Sequence, residues 1–189
     1  MKKKYSDEDY IHNLTPEFRL THYDMLKVSE LGLLKEWKNK IVLHVGCNTG
    51  SNSFALTSKG ILVIGLDING KAISRACKNR GKYSDWMCGI YPLFVVGNLA
   101  DKDCAIPECE GMFCSNVIEH IYKDDLTTAL KNLKKALKKG SKYYISVPME
   151  GHYNDPHHQI IFKNVNKIIK YFPGEVTQDN GFWIITGKI

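Results

Sequence analysis

Apolar residues in this chain gather into short runs separated by longer amphipathic stretches, and that alternation predicts the order of its elements. IVLHVG, residues 41–46, is short and apolar enough for a buried strand, and SNSFALTSKG after its glycine turn suits a helix stopped by Gly60. ILVIGLD reads as a second buried strand, and KAISRACKNRG as a helix closed at Gly81. LFVVGN, GMFCSN and KYYISVP supply strands three, four and five. Between the last two, Leu126, Ala129, Leu130, Leu133 and Leu137 form one helical stripe, with Asp124 and Asp125 at its start and Gly140 at its end. Before the first strand, residues 15–38 open with Thr15 and Pro16, a capping pair, and space Phe18, Met25, Leu26, Leu33 and Leu34 as a leading helix would. After the fifth, residues 164–171 read as helix and residues 176–189 as a hairpin turning at Asn180 and Gly181.

Strands alternating with helices predict a doubly wound α/β fold, a mostly parallel sheet with helices on both faces. In such sheets ligands bind outside the carboxyl ends of the strands. No linker-like stretch divides the chain, so the expectation is a single domain over residues 1–189, with a helical extension at 1–40 and an α/β core at 41–189.

Composition excludes several classes. Hydrophobic content of 43% with 24% charged residues argues against disorder. MKKKYSDEDY brings acidic residues directly after its lysines, and no later stretch is apolar enough to span a bilayer, so no membrane association and a cytoplasmic location are expected. The six cysteines, Cys47, Cys77, Cys88, Cys104, Cys109 and Cys114, lack the paired spacing of a zinc knuckle and read as reduced packing residues. A net charge of +6 owes much to Lys131, Lys134, Lys135, Lys138 and Lys139, which suit the solvated face of one helix.

The chemistry starts at the turn HVGCNTG. Gly46 and Gly50 let the backbone approach a ligand closely, and Asn48 is the non-glycine type that best tolerates a left-handed conformation. About twenty residues on, Asp67 ends the second strand, where a carboxylate can accept both hydroxyls of a ribose. A pyrophosphate-binding turn would need G-x-G-x-x-G, and this one runs G-x-N-x-G. VLHVGCNTG, VIGLDIN, FCSNVIEHI and YYISVP together resemble four motifs of the class I S-adenosylmethionine-dependent methyltransferases, from about residue 41 to the end of the chain.

That resemblance implies a Rossmann-like, seven-stranded sheet whose last strand is antiparallel, with S-adenosyl-L-methionine as cofactor. It implies that Gly46, Cys47, Asn48 and Gly50 wrap the methionine and ribose portion and that Asp67 holds the ribose hydroxyls. Ile68 would flank adenine, Asn98 with Leu99 would contact the adenine edge, and Ser115 with Asn116 would line the sulfonium region. His44 stands in the cofactor set where the family usually has an acid, and Asn98 replaces a common aspartate; an amide oxygen still accepts from an adenine amino group.

Sulfonium methyl transfer is an in-line displacement, which needs alignment and, for a protonated acceptor, a base. Candidate catalytic residues are Glu119 and His120 after the fourth strand and His158 after the fifth, beside His152 and His157 in GHYNDPHHQIIF. Glu119 and His120 read equally as braces of their loop. Glu119, His120 and His157 or His158 are also similar to the metal site of small-RNA 2′-O-methyltransferases, but that motif has a further glutamate where this chain has Asn116, and no metal site is assigned. The functional expectation is O-methylation of a small-molecule acceptor. An RNA-directed methyltransferase, suggested by the lysines, and a noncatalytic methyltransferase-like binding protein are the alternatives, separable by salt-dependent nucleic-acid binding and by cofactor affinity.

Overall fold

The apolar runs become strands wherever a buried ladder can receive them. A computed structural model of the protein describes residues 22–87, 89–152 and 155–189, without the side chain of Trp86. The proposed cap at Thr15 and Pro16, and Cys88, lie outside the described residues. The chain divides into two compact units, Met1–Gly97 and Asn98–Ile189.

In the first unit the expected leading helix is broken in two. Helix α1 (Tyr23–Glu30) and helix α2 (Leu33–Trp37) are separated at Gly32, whose φ of 70° leaves the helical region. Strand β1 (Ile41–Val45) is followed by helix α3 (Ser51–Thr57), strand β2 (Leu62–Asp67), helix α4 (Gly70–Lys82) and strand β3 (Leu93–Val96). The β1/β2 and β2/β3 pairs are parallel. Gly81 lies inside α4 instead of closing it, because a glycine stops a helix only where the chain turns left-handed, and here the helix runs on to Lys82. Phe54 of α3 anchors this unit's core, with ring centroids 5.1 Å from Tyr83 and 5.6 Å from Phe94.

The second unit contains strand β4 (Cys109–Ser115), helix α5 (Leu126–Lys135), strand β5 (Leu137–Pro148), the short helix α6 (Asn166–Ile169), and strands β6 (Gly174–Asp179) and β7 (Phe182–Lys188). The β4/β5 pair is parallel, whereas β7 runs antiparallel to both β5 and β6. Leu126, Ala129, Leu130 and Leu133 are buried while Lys131, Lys134 and Lys135 face solvent, as the stripe predicts. Leu137 departs from the expectation: it begins β5, paired with Cys109, and Gly140 sits within the strand at a φ of 90°. Asp125 occupies the N-cap of α5 without a side-chain capping bond. The final turn is as expected, with Asn180 and Gly181 at φ 47° and 80°, the positive pair a two-residue hairpin needs.

All seven strands join one mixed sheet in the order β3-β2-β1-β4-β5-β7-β6, with β7 antiparallel. The five cysteines among the described residues are free. No helix among the described residues is long and apolar enough to cross a membrane.

Candidate functional site

The carboxyl end of β1 bends sharply because three of five consecutive residues are left-handed. Gly46, Asn48 and Gly50 have φ of 64°, 49° and 87°. Gly50 is required twice over, since an added Cβ would also stand 2.6 Å from the ring of Phe94. Asn48 stabilises its own conformation by accepting from the Thr49 amide at 2.9 Å. The Cys47 amide donates to the Leu66 carbonyl at 3.0 Å, tying the bend to β2.

Asp67, the last residue of β2, is held by that bend. Its Oδ2 accepts from the Asn48 amide and its Oδ1 from the Asn69 amide, each at 2.8 Å. Burial raises the Asp67 carboxyl above its ordinary range, opposed by backbone N–H groups of Asn69, Asn48 and Ile68. Burial, followed by the Asp67 charge, drives the Cys47 thiol well above its ordinary value, so it acts as a packing group and not as a nucleophile. Next to the carboxylate, Ile68 is 57% exposed, and Val96 at the end of β3 is 55% exposed. A polar loop and a fixed carboxylate beside open apolar surface fit a nucleoside: hydroxyl acceptors for the sugar and an apolar wall for the base.

His44 takes a different position from the rest of that set. Its ring is buried, and its Nδ1 lies 2.7 Å from Ser53 Oγ, so it braces α3 against β1. Asn98 uses its amide locally, accepting from the Ala100 amide at 3.0 Å and donating to Asp101 at 2.9 Å, while the Leu99 carbonyl receives Asn132 Nδ2 at 2.9 Å.

In the second unit, the ends of β4 and β5 are stitched together. Asn116, with φ 53°, follows β4 and donates its amide to the Ser146 carbonyl at 3.1 Å; its Nδ2 lies 3.3 Å from Ser115 Oγ. A 3-10 turn, Ile118–His120, then delivers Glu119 and His120. The Glu119 carbonyl accepts from the Gln159 and Ile160 amides at 2.8 and 3.0 Å, drawing the loop after β5 onto this turn. Asp155 shapes that loop by accepting from the His157 amide at 2.8 Å and, through its carbonyl, from the His158 amide at 3.1 Å.

These ties bring three predicted residues together. Glu119 is fully buried, and its Oε1 lies 3.9 Å from His120 Nε2. His120 Nδ1 lies 3.4 Å from the His157 carbonyl, and the His120 and His158 ring centroids are 4.9 Å apart at 74°. Burial, then the neighbouring His158, lowers the His120 pKa to about 4; burial also lowers that of His158. Both imidazoles are therefore neutral at pH 7 and offer lone pairs. A cavity of about 260 Å³ adjoins the cluster, lined by Pro148, Met149, Asp155, Pro156, His158 and Ile160 among others. His157 enters through its carbonyl, and His152 instead packs on Phe182 with centroids 4.6 Å apart.

Asn69 and Asp155 shape the two loops and are not among the residues singled out from the sequence. Asn69 both donates to Asp67 and caps α4 by accepting from the Lys71 and Ala72 amides. Its signal was D-I-N-G at a strand end, a capping residue just before a helix. The signal for Asp155 was an aspartate two residues before a histidine in a loop.

Comparison with known proteins agrees with this geometry. Residues 43–145 match the family described as "Methyltransferase domain". No curated protein matches the chain. Among solved structures, TehB from Haemophilus influenzae is 16% identical with a TM-score of 0.68, over 85% of this chain and 61% of that one; this chain thus spans under two thirds of TehB. The PH0226 protein from Pyrococcus horikoshii is 17% identical with a TM-score of 0.68, over 95% and 94% of the two chains. Magnesium protoporphyrin IX methyltransferase from Synechocystis, crystallised with bound SAH, is 18% identical with a TM-score of 0.63, over 86% and 79%. With the family matched across more than half its length and the strand order and nucleoside-fitting bend both present, this chain belongs to the methyltransferase-domain family, the class I S-adenosylmethionine-dependent methyltransferases.

Proposed function

We propose that the protein transfers the methyl group of S-adenosylmethionine to a hydroxyl oxygen of a small-molecule acceptor. The observation that carries the acceptor half is the Glu119, His120 and His158 cluster beside a cavity of about 260 Å³, just under the usual size of small-molecule pockets and mixed in its apolar and polar lining. Pro148, Met149, Pro156 and Ile160 would hold an apolar body, and His158 would meet its hydroxyl.

The donor half rests on the bend after β1. Gly46, Cys47, Asn48 and Gly50 would wrap the methionine and ribose portion, Asp67 would accept from the ribose hydroxyls, and Ile68 would flank the adenine. Asn98 and Leu99 are proposed at the adenine edge, and Ser115 and Asn116 at the sulfonium. His44 would act indirectly, by fixing β1 and α3 through Ser53.

In the transfer, the sulfonium carbon–sulfur bond breaks with its electron pair staying on sulfur, and the acceptor oxygen forms the new carbon–oxygen bond. The hydroxyl proton passes to His158, whose depressed basicity favours its later release to water. The chain's main contribution is alignment of the two reactants.

Donor carrying a deuterated methyl group, incubated with fractionated cell extract, tests this reading. Label is expected in the small-molecule fraction as an O-methyl group. Label in RNA or protein, or on nitrogen or carbon, would contradict it, and S-adenosylhomocysteine failing to bind would remove the donor half as well.

A further inference from the structure

Glu119, His120 and His158 offer one carboxylate oxygen and two imidazole nitrogens that all lie within 4.8 Å of one another. Atoms that share a tetrahedral metal ion at about 2.0–2.2 Å stand roughly 3.3–3.5 Å apart, so small side-chain rotations bring this trio to bonding distance. The sequence alone assigned no metal here because Asn116 stands where a fourth, charged donor was expected. The geometry leads elsewhere, because three donors are what a reactive site of this type uses.

We propose that Glu119, His120 and His158 bind a zinc-class divalent transition ion whose open coordination side faces the cavity lined by Pro148, Met149, Asp155 and His158.

Three further observations support it. The contact of His120 Nδ1 with the His157 carbonyl, at 3.4 Å, fits a ring proton on Nδ1, which leaves the lone pair on Nε2, 3.9 Å from Glu119 Oε1. A ligating histidine is oriented in just this way, by donating its other nitrogen to a carbonyl. The loop carrying His158 is fixed by two hydrogen bonds, which the Gln159 and Ile160 amides donate to the Glu119 carbonyl, so the third donor does not depend on a free loop. His158 also lines the cavity, which leaves room on that side for water or an acceptor oxygen as fourth ligand.

The donor set selects the ion. Two imidazoles with a single carboxylate suit Zn²⁺, Co²⁺ or Fe²⁺, whereas Mg²⁺ prefers a shell of oxygens. Loaded with such an ion, His158 would give its lone pair to the metal, and the acceptor hydroxyl, acidified by coordination, would release its proton to solvent water instead of to His158. This refinement rests on the O-methylation reading above.

The full chain, stripped with chelator and kept reduced, is titrated with Co²⁺ under visible absorption and with Zn²⁺ by calorimetry; S-adenosylhomocysteine affinity is measured on the same metal-free sample. The expectation is one equivalent of metal, d–d bands without thiolate charge transfer, and affinity lower by about tenfold to a hundredfold or more in both His158→Ala and Glu119→Gln. Glu119→Gln keeps the buried shape and guards against a folding defect, and far-ultraviolet circular dichroism checks both variants. Absence of stoichiometric binding, thiolate charge-transfer bands as the only signal, or undiminished affinity in both variants would overturn the proposal. Metal-free protein that still binds S-adenosylhomocysteine, yet takes up no metal, would refute the ion and leave the methyltransferase reading with His158 as direct base.

Discussion

Asp67 and Glu119 both stand at or just beyond the carboxyl end of a parallel strand, yet they are held in opposite ways. Asp67 is fixed by main chain: the Asn48 amide donates to Oδ2 and the Asn69 amide to Oδ1, and the Ile68 N–H also favours the charged carboxylate. Glu119 is fixed by burial and by its own carbonyl, and its carboxylate looks toward imidazole nitrogens. A backbone-held carboxylate suits a ligand whose shape never changes, such as the cofactor. A side-chain cluster that depends on two joined loops suits an acceptor, because exchanging one loop residue alters it.

The variant expected to separate the two ends most sharply is Asp67→Ala. Loss of two charge-assisted hydrogen bonds to the ribose lowers S-adenosylhomocysteine affinity roughly a hundredfold to a thousandfold by calorimetry. An affinity within threefold of wild type would place the ribose elsewhere.

At the other end, His158→Ala lowers turnover of the identified acceptor about a hundredfold while leaving S-adenosylhomocysteine affinity unaltered. Loss of both together would mean that His158 belongs to the donor half.

Stability against pH distinguishes the two regions by sign. His120 has its pKa lowered to about 4 from 6.5, so between those values the unfolded chain binds a proton that the folded chain rejects. Its contribution is complete above pH 6.5 and is lost as pH falls toward 4, on the order of 2 to 3 kcal/mol in chelator-containing buffer. Asp67 slopes the other way: with its carboxyl raised above 3.8, the folded state favours the proton and stability declines as pH rises through that region. Urea denaturation of wild type and His120→Gln between pH 4 and 7 checks the first slope, and a wild-type midpoint flat over that range would contradict it.

The smallest effect concerns the brace. Ser53→Ala leaves the buried His44 Nδ1 without its hydroxyl partner and lowers stability by about 1 kcal/mol in urea. No loss at all would mean that His44 is supported by other groups.

The first region was legible in the sequence because its parts are local. Gly46, Asn48 and Gly50 fall within one turn, and Asp67 follows at a spacing that β1, a helix and β2 impose. The side-chain destinations of His44 and Asn98 were not legible, since a polar residue at a strand end is free to turn to a neighbouring helix or to its own loop; Ser53 and Asp101 decided that. The break at Gly32 and the start of β5 at Leu137 were missed for a related reason. An apolar stripe continues across a chain reversal, and only the backbone records where it turns.

The second region was legible in residue type and not in assembly. Glu119, His120 and His158 were visible as acid and base candidates, but the Gln159 and Ile160 amides that meet the Glu119 carbonyl are distant in sequence, as is the His157 carbonyl that His120 meets at a separation of 37 residues. Pairing of β4 with β5 closes that distance, and Asp155 sets the loop that presents His158.

A crystal structure of the full chain soaked with S-adenosylhomocysteine decides whether the bend after β1 holds the cofactor. Electron density is expected over Gly46 to Gly50, with both ribose hydroxyls within hydrogen-bond reach of Asp67. Density for the nucleoside at another position, or a vacant bend at saturating ligand with Asp67 bonded only to the Asn48 and Asn69 amides, would contradict it.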